Sequence, residues 1–140
     1  MHLQTSVDTL VVGGGVVGTS VAYGLARAGE RVLLLDEGDD AYRAARGNFG
    51  LVWVQGKGLG NPHYARWTRR AAAAWARFAE LLLEDAGVDV ELRQIGGMTM
   101  ALDEDELVRK AADLESLRAS LGGDYPFEIL DGNAVRRLIP

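Results

Sequence analysis

Cysteine is absent from the 140 residues. That excludes disulfides, a thiolate nucleophile and any cysteine-ligated zinc or iron–sulfur centre. It fits a reducing compartment, so a cytoplasmic setting is expected, with peripheral attachment to an inner membrane left open. Histidine occurs only at His2 and His63, and serine only at Ser6, Ser20, Ser116 and Ser120. No nucleophile–base set can be assembled from them, and no catalytic residue is assigned. No group of side chains has metal-ligand spacing, so no metal is expected. Basic charge is in deficit: 15 Lys and Arg stand against 20 Asp and Glu, for a net charge of −5. A nucleic-acid partner, which needs a basic face to displace counterions, is therefore not expected. No run approaches the ~20 apolar residues of a membrane span. The first residues also lack the basic segment and cleavage site of a secretory signal.

Glycine, by contrast, is abundant, with 18 of 140 positions. Three of these positions form a G-x-G-x-x-G pattern, Gly13-Gly-Gly15-Val-Val-Gly18, directly after the apolar Thr9-Leu-Val-Val12. Val17, Val21 and Leu25 then recur every four residues beside Ala22 and Ala26, which predicts a helix with one packed face. Gly29 stands where a helix C-terminal glycine belongs. Arg31-Val-Leu-Leu-Leu35 reads as a second, buried parallel strand, and Asp36 ends it. Strand, glycine turn, helix, strand and carboxylate, in that order, make a cradle for the diphosphate of a dinucleotide. Gly13 makes the tight turn, Gly15 lets the phosphates approach the backbone, and Gly18 lets the helix lie close on the strands. The N-terminus of the helix directs N–H groups and the positive end of its dipole at the ligand. A carboxylate at position 36 suits a ribose hydroxyl and repels a 2′-phosphate, which disfavours NADP. It does not separate NAD from FAD. The neighbouring Glu37 is a further candidate contact, or a solvated strand-end charge.

Further along, Gly38-Asp39-Asp40 forms a turn cluster. Residues 41–60 are glycine-rich and irregular, with Leu51-Val-Trp-Val54 as an apolar insert. Asn61-Pro62 predicts a capped helix start, and Gly87 its end. Tyr64, Trp67, Ala71, Trp75, Phe78 and Leu82 lie at helical spacing and are expected to form its packed face, with Arg66, Arg69, Arg70 and Arg77 on a solvated face. His63 falls in its first turn, in a capping or surface role. Residues 88–102, interrupted by Gly96-Gly97, are expected to give two short strands or one bulged strand. Asp103 and Glu106 read as a capping box, opening a helix that Gly122-Gly123 stops. Phe127-Glu-Ile-Leu130 is expected as a strand, and a last helix begins after Asp131.

Taken together, Gly13 to Gly18, Leu35-Asp-Glu-Gly-Asp39, Ala45 to Gly58 and Ile95-Gly-Gly-Met98 resemble the D-amino acid oxidase-like superfamily of FAD-dependent oxidoreductases. The run Arg46-Gly-Asn-Phe-Gly-Leu-Val-Trp53 is the most particular feature. It resembles the branch holding the flavoprotein subunit of hydrogen cyanide synthase, D-hydroxyproline dehydrogenase and the β subunits of opine oxidases. The resemblance implies an α/β architecture: the N-terminal part of a Rossmann-like FAD-binding domain of the glutathione-reductase type, and the beginning of a mixed α+β substrate domain. The expected division is 1–87 and 88–140. It implies FAD as cofactor, a small amino or imino acid as substrate and hydride transfer from its carbon to the flavin, with partner subunits left open. It also places Gly13, Gly15, Val16, Val17, Gly18, Asp36 and Glu37 at the ADP half. Ala45, Arg46, Gly47, Asn48, Phe49, Gly50 and Leu51 would run along the diphosphate, ribityl chain and flavin.

Several readings of these residues stay open. Arg46 offers either a charge-assisted contact to a phosphate or an ion pair with Asp39 or Asp40. Asn48 lies along the cofactor or holds a turn. Trp53 and Gln55 face a substrate or belong to packing and an exposed strand. Only two strands of the dinucleotide fold are visible, so the chain is expected to be the first part of a longer enzyme, inactive by itself. An NAD-dependent dehydrogenase and a non-catalytic remnant or interaction subunit are the competing classes.

Overall fold

The computed structural model describes residues 6–38, 44–48 and 50–139. The chain divides into two compact units, Met1–Leu51 and Val52–Pro140.

In the first unit, β1 (Thr9–Val12), α1 (Val16–Arg27) and β2 (Val32–Leu35) form one βαβ turn. The strands pair in parallel, with Thr9 opposite Val32 and Val12 opposite Leu35. α1 ends as its glycine foretold. Gly29 lies at φ +91°, its N–H reaches the Ala26 carbonyl at 3.0 Å, and the Glu30 N–H reaches Leu25 at 3.1 Å. These two bonds close a Schellman cap. Two expectations change here. The face of α1 that is partly covered carries Gly18, Ala22 and Leu25, whereas Val17 is 74% exposed and Val21 48%. β2 is not a buried strand either, because Leu33, Leu34 and Leu35 are all exposed. A parallel sheet is covered when helices lie on both faces, and within this unit α1 packs on the two strands. At the sheet's lower edge, Asp8 accepts bonds from the Arg31 Nε at 3.0 Å and Nη2 at 2.7 Å. This fork holds the Asp8 carboxyl below its ordinary pKa of 3.8.

The second unit is helical. α2 (Pro62–Ala86) starts where Asn61 Oδ1 accepts the Tyr64 N–H at 3.1 Å, and it stops at Gly87 with φ +66°. α3 (Glu104–Ser120) is capped by Asp103, which accepts the Glu106 N–H at 2.7 Å; Glu106 in turn accepts the Leu102 N–H at 2.7 Å. Gly122 and Gly123, both at positive φ, close α3 with a second Schellman pair onto Ala119 and Arg118. α4 (Gly132–Leu138) begins on the Asp131 side chain. The small core consists of Ala65, Leu117, Leu121 and Tyr125, with Leu114 and Phe127 packed against it.

Three expectations are corrected in this unit. Residues 88–102 and 127–130 form no strand, since the described residues provide no ladder partner for them; Gln94 instead donates to the Ala72 carbonyl of α2 at 2.8 Å. The aromatic stripe of α2 is split: Trp75, Phe78 and Leu82 are half-buried, while Tyr64 and Trp67 are exposed. The helix is turned so that Ala65 meets Gly58, where a side chain at 58 would lie 2.6 Å from the alanine. Arg77 does face solvent, pairing with Glu80 and Glu84. Arg66 and Arg69, however, bind the end of α3 and the turn after it. Arg66 donates to the Ser120 carbonyl at 3.1 Å, and Arg69 pairs with Asp124 at 3.0 Å.

Candidate cofactor site

β1 delivers the chain to the glycine turn and sets its orientation. The Gly13 N–H still bonds Leu35 at 2.8 Å, continuing the ladder by one step, and Gly13 then turns the chain at φ +104°. This conformation is favourable only for glycine. Gly18 explains how close α1 comes to that turn. A Cβ at position 18 would lie 1.8 Å from the Gly13 carbonyl oxygen and 3.6 Å from Val11 Cγ1. Gly15 is different: a Cβ there would meet nothing within 4 Å. Its missing side chain leaves space free rather than relieving a clash. Gly15 is the N-cap of α1 and supplies no side-chain cap, in contrast to Asn61, Asp103 and Asp131 on the other helices. The first-turn N–H groups of α1 have no acceptor inside the helix.

Asp36 closes the other side. Its carboxylate accepts the Gly14 N–H and, at 2.9 Å, the Gly38 N–H. The two strand ends are thereby tied across the crevice. The cleft has a volume of about 430 Å³ and is lined by Gly14, Gly15, Val16, Leu34, Asp36, Ala45 and Arg46. Ala45 and Arg46 arrive on a single 3-10 turn, Ala44–Gly47. The wall thus carries one cation, one carboxylate and an uncapped helix start. That set suits an anionic diphosphate beside a hydroxylated sugar.

Of the residues singled out from the sequence, the structure brings Gly15, Val16, Asp36, Ala45 and Arg46 to the wall. Gly13 and Gly18 lie behind it and shape it. Val17, Glu37, Gly47, Asn48, Gly50 and Leu51 do not line it. Asn48 holds a turn, accepting the Gly50 N–H at 2.7 Å, with Gly50 at φ +78°. Phe49 lies outside the described residues, as do Asp39 and Asp40. Two wall residues were missed. Gly14 is the spacer of the motif, yet its N–H binds Asp36 and a Cβ there would press on that carboxylate at 2.8 Å. The G-x-G-x-x-G pattern leaves that position open, so nothing in the motif marked it. Leu34 had no sequence signal beyond its place in β2.

Residues 8–140 match the family described as FAD dependent oxidoreductase. The chain belongs to that family. Its cofactor is FAD, which decides the choice between NAD and FAD that Asp36 leaves open. The chain is 51% identical over 126 residues to an opine oxidase subunit of Agrobacterium tumefaciens (strain Ach5), covering 89% of this chain and 34% of that protein. It is 47% identical over 135 residues to the corresponding opine oxidase subunit of Rhizobium meliloti, covering 96% and 36%. Glycine oxidase of Bacillus licheniformis is more distant, 27% identical over 138 residues, covering 99% and 35%. The chain therefore spans about a third of the length of these relatives. No solved structure matches it. No helix among the described residues is long and apolar enough to cross a membrane, and no group of three or more His, Asp or Glu among them could hold a metal.

Proposed function

We propose that the cleft at the start of α1 binds the ADP half of FAD in an enzyme that oxidises the C–N bond of a small amino or imino acid. The observation that carries the reading is the joint placement of Gly15, Asp36 and Arg46 on one wall. Gly15 and the N–H groups that follow it receive the diphosphate. Asp36, fixed by two backbone N–H groups, accepts from a ribose hydroxyl, and Arg46 neutralises phosphate charge. Gly13 and Gly18 hold this geometry from behind. Asn48 keeps the following backbone bent, so that 47–51 can run along the rest of the cofactor. In this reading 1–87 belong to the cofactor domain and 88–140 begin the substrate domain. The relatives support the chemistry through what their names state, an opine oxidase and a glycine oxidase. The substrate would lose a hydride from carbon and a proton from nitrogen, leaving an imine, and bound FAD supplies the two-electron sink. Because two relatives are named as subunits, we also propose assembly with other chains.

The test is to purify the complete gene product and record its visible spectrum. Flavin bands that bleach anaerobically on addition of glycine, a D-amino acid, D-hydroxyproline or an opine are the expected result. A colourless protein that stays colourless with added FAD, or that binds NAD more tightly than FAD, overturns the proposal.

A further inference from the structure

Beyond β1 the pairing with β2 continues in two different ways. The Gly13 N–H bonds the Leu35 carbonyl at 2.8 Å, a backbone acceptor. The next donor, the Gly14 N–H, bonds the side chain of Asp36 instead, through Oδ2. The other oxygen of that carboxylate, Oδ1, accepts the Gly38 N–H at 2.9 Å. Asp36 is exposed, and an exposed aspartate ordinarily has several rotamers open to it. Two backbone donors, one from beyond the end of each strand, select one of them. They leave capacity for a ligand, because an ionised carboxylate has about four acceptor sites.

Both donors need glycine, for different reasons. Gly38 lies at φ +99°, which side chains disfavour, and this turn brings its N–H back to the residue two before it. Gly14 does not lie at positive φ, so its backbone would admit any residue. What excludes a side chain there is Asp36 itself. An added Cβ would stand 2.8 Å from its Oδ2, 2.9 Å from its Cγ and 3.1 Å from its Cβ, and these are the nearest atoms. Any residue at 14 would own the N–H, but only glycine lets the carboxylate reach it. We propose that Gly14 and Gly38 are positioning residues for the adenosine ribose. They act through Asp36, holding its carboxylate where the sugar hydroxyls arrive. This inference rests on the cofactor reading above, and adds to it one residue that the motif leaves open and one beyond the motif. Neither glycine touches a reacting atom.

The experiment strips the complete protein of flavin and titrates it with FAD and with an FAD analogue whose adenosine ribose lacks both hydroxyls. Wild type is expected to prefer FAD about tenfold or more, the effect of a hydrogen bond to a charged group. In Gly14→Ala that preference should fall to within about twofold of none, while affinity for the analogue changes little. The melting temperature of the apoprotein should also move little, because an exposed carboxylate has room to swing aside. In an Asp36→Ala background, Gly14→Ala should add no further loss of FAD, since no carboxylate remains to be displaced. A Gly14→Ala protein that keeps the full preference, weakens FAD and analogue alike, or loses as much FAD without Asp36 as with it overturns the proposal. Gly38→Ala loosens the carboxylate from the other side, so it gives a reading even where Gly14→Ala does not fold. A reduced preference in that variant supports the proposal, and an undiminished one overturns it. A wild type without flavin bands would remove the cofactor reading itself, and the proposal with it. A wild type that prefers FAD beside variants that prefer it equally overturns the positioning role alone, which separates the two failures.

Discussion

A side chain at position 18 has nowhere to go, and one at position 15 has nothing to touch. The contrast makes the two glycines separable. Gly18→Ala would push a methyl group to within 1.8 Å of the Gly13 carbonyl. Either α1 lifts from the sheet or the glycine turn opens, and overpacking of this kind typically destabilises by about 1–3 kcal/mol. Urea melts of the complete protein should show that loss together with loss of flavin. Gly15→Ala should cost no more than about 1 kcal/mol, the loss of a favourable N-cap residue, because the backbone there is extended and its surroundings are empty. FAD affinity should nevertheless drop about tenfold or more, since the added methyl enters the space reserved for phosphate. Equal FAD affinity in Gly15→Ala and wild type would mean that phosphate sits elsewhere. At this scale the sequence was informative where a residue's role is defined by what glycine lacks, as at positions 13, 15 and 18. It was silent about Gly14, whose part is played by a backbone N–H that any residue owns, and about Tyr125, whose partners lie 69 and 71 residues away.

Helices in this chain declare themselves through local chemistry, and strands do not. Asn61, Asp103 and Asp131 each accept an N–H three residues on, and glycines close α1, α2 and α3. Those signals act within a few residues, so they were readable without knowledge of the fold. β1 and β2 were readable because the turn and helix between them impose a parallel partner. Residues 88–102 and 127–130 have strand-like composition, but a strand also needs a neighbour to bond to, which composition cannot provide. The direction in which a helix faces is likewise a tertiary property. The apolar stripe of α2 predicted the helix but not that Trp67 would be exposed, because the covered side is set by the approach of Ala65 to Gly58. Where a cap is local, its energetic effect is local too. Asp103→Ala removes the side-chain acceptor for Glu106 N–H and should destabilise the protein by about 1 kcal/mol. Asp103→Asn or Asp103→Ser should recover most of it. A chemical melt indifferent to all three substitutions would show that α3 does not depend on its cap.

Charge and exposed apolar surface act on the whole molecule. Asp8, Glu106 and Asp124 each have a carboxyl pKa held below its ordinary value. The causes are hydrogen bonds from Arg31 to Asp8, from Lys110 and the Leu102 N–H to Glu106, and from Arg69 to Asp124. A depressed folded-state pKa adds stability that is complete above the ordinary carboxylate range and is lost as pH falls through the folded values. The melting temperature should therefore be level from neutral pH down to about pH 5 and decline below about pH 4. These pairs are solvent-exposed, so added salt should flatten the decline. A melting temperature that rises on acidification through that window would contradict the assignment. Exposed apolar surface has the larger consequence. Among the described residues the buried core holds Ala65, Leu117, Leu121 and Tyr125. Val12, Trp67, Ile95 and Leu102 are meanwhile 78%, 69%, 93% and 90% exposed. Scattered apolar residues are normal on a protein surface, but here they include the face of a two-stranded sheet and the aromatic side of a long helix. Burying such surfaces is favourable by about 25 cal/mol per Å² of apolar area, and molecules left in water will find that gain in one another. The 140-residue chain expressed by itself should consequently self-associate, with light scattering showing a mass that grows with concentration. Trp67→Glu should reduce that association without altering the helix content of α2, because the side chain it replaces packs on so little. A monodisperse monomer at high concentration would mean that these faces are covered in solution by an arrangement of the chain different from the one described.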